Sequence, residues 1–328
     1  MHAATRNHID VHRLLSQKFD SLARDMTHGA SAANIIPEVI EHARLVLRHA
    51  SDQAELVSLR DTALAHPIAD YIYQCPLTAH AAARPRGYPG DAELIDYLYC
   101  HPARAPDISR ATAAGQEILQ IILDRPIAIA LRSRRQTIAN LIADIATQSP
   151  DARIMSVACG HARELPLIPS HLLERIAAFI AFDQDAKNLE MVSRYRTLGD
   201  TSCITPQCGT IAALLHDREL RDFDLIYSSG LYDYLSDHLC QRLTHNLFAR
   251  LKPGATLLVT NVLPDTPDIG YMELFMNWSL RYRTRSQILD FAATIDAREI
   301  HNVEYIADAT NNLGFLRIIK ARKTYQTA

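Results

Sequence analysis

No apolar run in this 328-residue sequence approaches the ~20 residues that a helix needs to cross a bilayer. A membrane-spanning helix is therefore not expected. Neither charge is in excess. The 34 Lys and Arg stand against 37 Asp and Glu, a net charge of −3, which argues against a nucleic-acid or acidic-membrane partner. The six cysteines (Cys75, Cys100, Cys159, Cys203, Cys208 and Cys240) include no Cys-x-x-Cys pair. That argues against a zinc ribbon or disulfide frame and for reduced thiols in the cytoplasm. The histidines make no His-Glu-x-x-His pattern, so no metal is expected. The opening MHAATRNHIDVHRLL lacks a basic segment leading into an apolar core. It does not read as a signal peptide.

What is present divides into two rhythms, as a length of about twice the usual domain suggests. Residues 1–150 read as helices. Leu14, Leu15, Phe19 and Leu22, then Val39, Ile40, Ala43, Leu45 and Val46, recur at helical spacing within His12–Met26 and Ile36–His49. A long helical pattern from Asp107 to Thr147 is interrupted only by Pro126, which either starts a second helix or kinks one. Within this half, "RPRGYPGD" (Arg84–Asp91) packs two prolines and two glycines into eight residues. It reads as a shaped loop, either a connector or a lid carrying Arg86, Tyr88 and Asp91.

Residues 151–328 alternate short apolar strands with helices. The strands are expected at Arg153–Ala158, Ala177–Phe182, Cys203–Gln207, Asp224–Ser228 and Thr256–Asn261, with a hairpin of Glu299–Ile306 and Gly314–Lys320. That alternation predicts an α/β fold, an open, doubly wound and mainly parallel sheet, whose ligands bind at the carboxyl ends of the strands.

The first strand ends in Ala158-Cys159-Gly160-His161-Ala162, followed by Arg163-Glu164-Leu165, which can start a helix. A dinucleotide calls for Gly-x-Gly-x-x-Gly here, and Glu164 would repel a pyrophosphate. The ledge suits a nucleoside carrying a compact, unphosphorylated group. Asp183, about 20 residues on at the next strand end, can accept from a ribose diol or simply cap a helix. Gly209-Thr210-Ile211, after the third strand, can line an adenine face.

The order "SVACG…E", "FDQD", "DLIYSSGLYDYL", "LKPGATLLVTN" resembles class I S-adenosylmethionine-dependent methyltransferases from about Asp151 onward. "RPRGYPGDAELIDYLY" and "PDIGYMELFMNWSLRYRT" are similar to a bacterial branch around hydroxy-fatty-acid methyl ester biosynthesis. That branch also includes enzymes that cyclise S-adenosylmethionine to azetidine-2-carboxylate. The resemblance implies a seven-stranded sheet behind an all-helical N-terminal domain and S-adenosylmethionine as cofactor or substrate. It implies Ala158, Cys159 and Gly160 against the methionine part, Asp183 on the ribose and Gln184 beside the adenine. Ser228, Ser229 and Gly230 would lie below the sulfonium. Asn277 stands where an aspartate is commoner in the branch.

Candidates for the reacting pocket are Tyr271, Asn277, Ser228, Arg86, Tyr88 and Tyr282, with Tyr232, Asp233, Tyr234, Glu273 and Trp278 nearby in sequence. The Tyr271–Arg283 run could equally be an amphipathic helix whose Leu274, Trp278 and Tyr282 pack. The expected reaction is methyl transfer to a small-molecule acceptor, a fatty or hydroxy acid whose carboxylate Arg86, Arg281 or Arg283 would hold. The alternatives are cyclisation of S-adenosylmethionine with release of methylthioadenosine, and a binding protein that senses S-adenosylmethionine without turnover.

Overall fold

The computed structural model describes residues 10–50, 52–197 and 203–322. Residues 1–9, part of the stretch read as lacking signal-peptide character, lie outside them. The chain forms two compact units, Met1–Ile129 with Thr266–Ser279 and Ala130–Asp265 with Leu280–Ala328. Two features of this division differ from the sequence-based boundary at residue 150. The boundary falls inside a helix, and the second half of the sequence lends fourteen residues, 266–279, to the first unit.

The first unit is helical. Helix α1 (Val11–Thr27) starts where the Asp10 carboxylate accepts from the Arg13 N–H, and it buries Val11, Leu15, Phe19 and Leu22. Helix α2 (Ala32–His49) buries Ile35, Ile36, Val39, Ile40, Ala43 and Val46 on one stripe. Then come α3 (Gln53–Ala65), α4 (Ile68–Ile72), α5 (Pro76–Ala83), α6 (Ala92–Leu98), α7 (Ala105–Arg110) and α8 (Ala113–Leu123). The expected pattern from Asp107 breaks not only at Pro126 but also at Ala111–Thr112, where the Thr112 hydroxyl caps α8 by accepting from the Gly115 N–H. Pro126 opens the 23-residue helix α9 (Pro126–Gln148), the first of the two behaviours it allowed.

In the second unit seven strands form one sheet in the order β3-β2-β1-β4-β5-β7-β6. They are β1 (Ala152–Val157), β2 (Ile176–Asp183), β3 (Ile204–Cys208), β4 (Phe223–Ser228), β5 (Leu251–Val262), β6 (Ile300–Ala307) and β7 (Leu313–Lys320). Pairing is parallel from β3 through β5, while β7 runs antiparallel to both β5 and β6. The five parallel strands and the hairpin lie where the apolar runs placed them, except that β5 begins at Leu251 and takes in "KPGA". Strands β1 and β4 are almost wholly buried, as central parallel strands must be. Helices α11 (Ala186–Ser193), α12 (Ile211–His216) and α13 (Asp237–Ala249) flank the sheet. Leu243, Leu247 and Phe248 of α13 share one core with Met155, Ile226 and Leu257. Each such side chain is worth about 1.5–3 kcal/mol of burial.

The helix expected from Ala162 does not form. A 3₁₀ turn at Leu165–Leu167 and a four-residue helix α10 (Ser170–Leu173) stand in its place. Pro166 and Pro169 explain this, since each removes an N–H and crowds the preceding residue.

Candidate functional site

The sheet order reverses direction between β1 and β4, so the loops leaving these two strands diverge and leave a crevice at their carboxyl ends. The turn after β1 is unusual. Ala158, Gly160 and Ala162 have φ of 55°, 53° and 47°, three left-handed residues at alternate positions. Two are alanines, for which this conformation costs roughly 1–2 kcal/mol each. Such strain persists only where the surroundings impose it, and it gathers at functional sites.

Asp183, the last residue of β2, imposes much of it. Its buried carboxylate accepts from the Gly160 N–H at 2.8 Å and from the Asp185 N–H at 2.8 Å, with the Asn188 amide at 3.4 Å. Burial pushes this carboxyl up, an effect that the N–H groups of Asp185 and Gly160 offset. A carboxylate can take about four hydrogen bonds, so with these three donors capacity remains for about one more. Cys159 donates its N–H to the Phe182 carbonyl, and burial raises its thiol well above the usual range, so it is no nucleophile.

The third expected contact is shaped by packing. A Cβ on Gly209 would stand 2.7 Å from the Phe182 ring, which is why glycine occupies the position, and its N–H bonds the Asp183 carbonyl. Thr210 caps α12 and Ile211 begins it, while Gln184 is exposed beside this corner. The crevice residues Ala158, Cys159, Gly160, Asp183 and Gly209 are thus linked directly.

The Ser228 hydroxyl donates to the Val157 carbonyl at 2.9 Å, tying the end of β4 to the end of β1. Ser229 and Gly230 follow, with Gly230 at φ 109°. Glu164 is buried and accepts from the Tyr227 hydroxyl, and its charge is felt by the Cys159 thiol in the turn. Burial raises both Glu164 and Tyr227.

Arg283 is a clasp and not a substrate handle. It donates to Asp237, the Tyr232 and Leu235 carbonyls and Asn261, and stacks over Phe291. Arg281 is exposed and donates its backbone N–H to the Asp233 carbonyl, with Tyr282 half-buried beside it. Tyr232 is buried and bonds Thr244, whereas Tyr234 is partly exposed. Asp233 is buried with its carboxylate accepting from the Val262 N–H. Burial pushes it up to about 6, against the pull of that N–H, Arg134 and Arg283.

The remaining candidates belong to the helical unit. Residues 266–279 form a short helix, α14 (Ile269–Leu274), and an irregular turn instead of the amphipathic helix allowed for Tyr271–Arg283. A Cβ on Gly270 would stand 2.3 Å from the Ala43 backbone, so only glycine lets α14 lie against α2. The Tyr271 hydroxyl bonds Thr78, Tyr73 donates to the Phe275 carbonyl and Arg125 pairs with Asp268. Arg60 donates to the Glu273 carbonyl and to Ser279. Asn277 is left-handed at φ 49° and accepts from Arg84 through its carbonyl. Its partly buried side chain precedes the buried Trp278.

Loop 84–91 is shaped, as expected, with Arg84, Gly87 and Gly90 all left-handed. Asp91 caps α6 and accepts from His80 at 3.0 Å, stapling the loop's two ends. Arg86 pairs with Glu93 at 2.6 Å, and Tyr88 lies half-buried between the two glycines. No group of three His, Cys, Asp or Glu among the described residues could hold a metal ion, and no described helix is long and apolar enough to cross a membrane.

No protein-family model and no curated protein matches this sequence. Among solved structures, a possible exported protein from Bordetella parapertussis is similar over 98% of this chain and 100% of its own, with a TM-score of 0.56 at 15% identity. The N-methyltransferase NodS from Bradyrhizobium japonicum WM9 is similar over 58% of this chain and 96% of its own, with a TM-score of 0.42 at 13% identity. Magnesium protoporphyrin IX methyltransferase from Synechocystis PCC 6803, solved with bound SAM, covers 60% of this chain and 84% of its own, with a TM-score of 0.43 at 11% identity. The first likeness extends through the helical region as well as the sheet. The architecture is an α/β fold: a mainly parallel seven-stranded sheet closed by an antiparallel hairpin strand, with a helical region before it, and the first likeness shares that fold.

Proposed function

We propose that the protein binds S-adenosylmethionine at the carboxyl ends of β1, β2 and β4 and transfers its methyl group to a small-molecule carboxylate, a fatty or hydroxy acid. The observation that carries the cofactor reading is the strained Ala158–Ala162 turn tied to the buried Asp183 carboxylate. Bound there, S-adenosylmethionine supplies an electrophilic methyl on a sulfonium. Asp183 accepts from the ribose diol, and the turn's backbone lines the chain that leads to the sulfur. Ile211 covers an adenine face. A carboxylate acceptor is already ionised at neutral pH and needs no general base. The fold therefore has to align and desolvate the reactants, not move a proton.

Calorimetry with S-adenosylmethionine and with NAD tests the cofactor reading, which fails if NAD binds more tightly. Incubation with S-adenosylmethionine alone, then with fatty and hydroxy acids, tests the reaction. S-adenosylhomocysteine that appears only when an acid is present supports methyl transfer. Methylthioadenosine with stoichiometric azetidine-2-carboxylate, formed without an acceptor, replaces it with cyclisation. Binding without any turnover leaves a sensor.

A further inference from the structure

The sheet ends in two edge strands, and the chain treats them differently. At one end stands β3, five residues long, with Pro206 in its middle. The Cys203 carbonyl and the Gly209 N–H both turn toward β2, so by alternation Pro206 turns outward, where it offers no N–H to a further strand. At the other end stands β6, eight residues long and without proline or lysine. The Asp308 N–H bonds the Leu313 carbonyl of β7, so Asn302, Glu304 and Ile306 also turn toward β7, and Val303 and Tyr305 turn outward. The outward N–H and C=O groups of these two meet no hydrogen-bond partner among the described residues. The single acid of β6, Glu304, lies 4.0 Å from Arg317 of β7, and Ile306 is 44% exposed. A long, weakly charged edge of this kind is a template for another strand.

We propose that a second copy of this chain supplies that strand, β6 pairing antiparallel with β6 so that the two sheets become one. A two-fold axis normal to the sheet makes the contact isologous and opposes residues whose amides both point outward. Three placements of the axis engage both Val303 and Tyr305. Centred on Glu304, the axis sets two carboxylates face to face, which is destabilising. Centred on Val303, it sets Tyr305 against His301, the extra residue where the β6–β7 register shifts between Ile300 and Asn302. Centred on Tyr305, it sets Val303 against Ala307 and Glu304 against Ile306, with no like charges opposed and the shift avoided. The two Tyr305 rings then meet at the axis as an aromatic cross-strand pair, each with an Arg285 guanidinium over it at 5.6 Å. Because Pro206 guards the opposite edge, head-to-tail pairing of β6 with β3 is blocked, and assembly stops at a dimer instead of running on as a filament.

The exposed Ile306 can be replaced without disturbing the core, and in this register it faces Glu304 of the partner subunit. Sedimentation velocity on the full chain over a concentration series should show a monomer–dimer equilibrium. Ile306→Glu should weaken the dimer about 10-fold, because it opposes two acids and the contact occurs twice per dimer. Ile306→Lys should instead tighten it, by up to about as much. In the dimer the Val303 and Tyr305 amides should exchange with solvent more slowly than in the dilute monomer, while those of Asn302 and Glu304, already turned to β7, should not change. A monomer at every concentration overturns the proposal and leaves a strand from a different protein as the edge's occupant. Equal weakening by both substitutions, or a dimer whose Val303 and Tyr305 amides exchange as fast as the monomer's, also overturns it, since the contact then lies elsewhere.

Discussion

Asp91 and Asp183 are both buried acids that pin a loop, and they are balanced in opposite ways. Asp91 caps α6 and faces an imidazole. Burial pushes its carboxyl up, but His80 and the N–H groups of Leu94 and Glu93 outweigh that and hold it below the usual range. The loop it closes uses glycine at two of its three left-handed positions. Asp183 is surrounded by N–H donors and a second acid, Asp185, and burial leaves it raised. The turn it closes uses alanine at two of three left-handed positions. One loop is complete in itself. The other holds strain and about one unspent acceptor position, as the proposed cofactor site requires.

Removing each acid tests that contrast most strongly. Asp183→Ala should lower S-adenosylmethionine affinity about 100-fold or more, and leave the half-buried Gly160 N–H without its partner at about 1 kcal/mol of stability. Calorimetry and urea denaturation read the two losses, the second being that of a half-buried N–H, and unchanged affinity would break the comparison.

Asp91→Ala should cost about 1–2 kcal/mol at neutral pH through the lost cap and His80 contact, while nucleoside affinity stays within about 3-fold. The pH signs are opposite. Because Asp91 is depressed on folding, its contribution is present above the unfolded value of about 3.9 and lost as pH falls through the folded one. Asp183, raised on folding, contributes below that unfolded value and loses its contribution as pH rises through the folded one. Urea midpoints from pH 3 to 7 should therefore show Asp91→Ala converging on the wild type in acid.

The smallest effect concerns the turns themselves. Ala162→Gly should stabilise by about 1 kcal/mol by relieving a left-handed alanine, whereas Gly87→Ala should destabilise by about as much. A Cβ at Gly87 meets nothing within 4 Å, so only its φ of 80° opposes the change. Thermal melts that move the same way for both variants would remove strain as the distinguishing feature.

The strands were legible in the sequence because parallel strands buried on both faces leave near-continuous apolar runs such as Ile154–Val157, broken only by Ser156, and Leu225–Tyr227. Pro126 announced the start of α9 for the same local reason. What was not legible depended on distant partners. Arg283 looks like a pocket residue in sequence, but its guanidinium goes to Asp237, Asn261 and the backbone carbonyls of Tyr232 and Leu235. Arg134 sits within "RSRRQ", where only burial distinguishes it from its neighbours. Ser228 was placed at the right strand end, but its hydroxyl bond to Val157 could be seen only once β1 and β4 were paired.

The loan of residues 266–279 has a consequence for how the chain is made. The helical unit emerges first from the ribosome, yet Arg60, Tyr73, Thr78 and Arg125 meet their partners Glu273, Phe275, Tyr271 and Asp268 only after most of the sheet has been synthesised. Bringing together groups separated by 143 to 213 residues is slow compared with forming the helices themselves. Until then the face of α2 around Ala43, which Gly270 later covers, is open to solvent and to other nascent chains. At about 5–20 residues per second, that interval lasts on the order of ten seconds or more. The step that completes the helical unit is therefore timed by translation through residue 279, after β5, and a pause ahead of that point would lengthen its exposure.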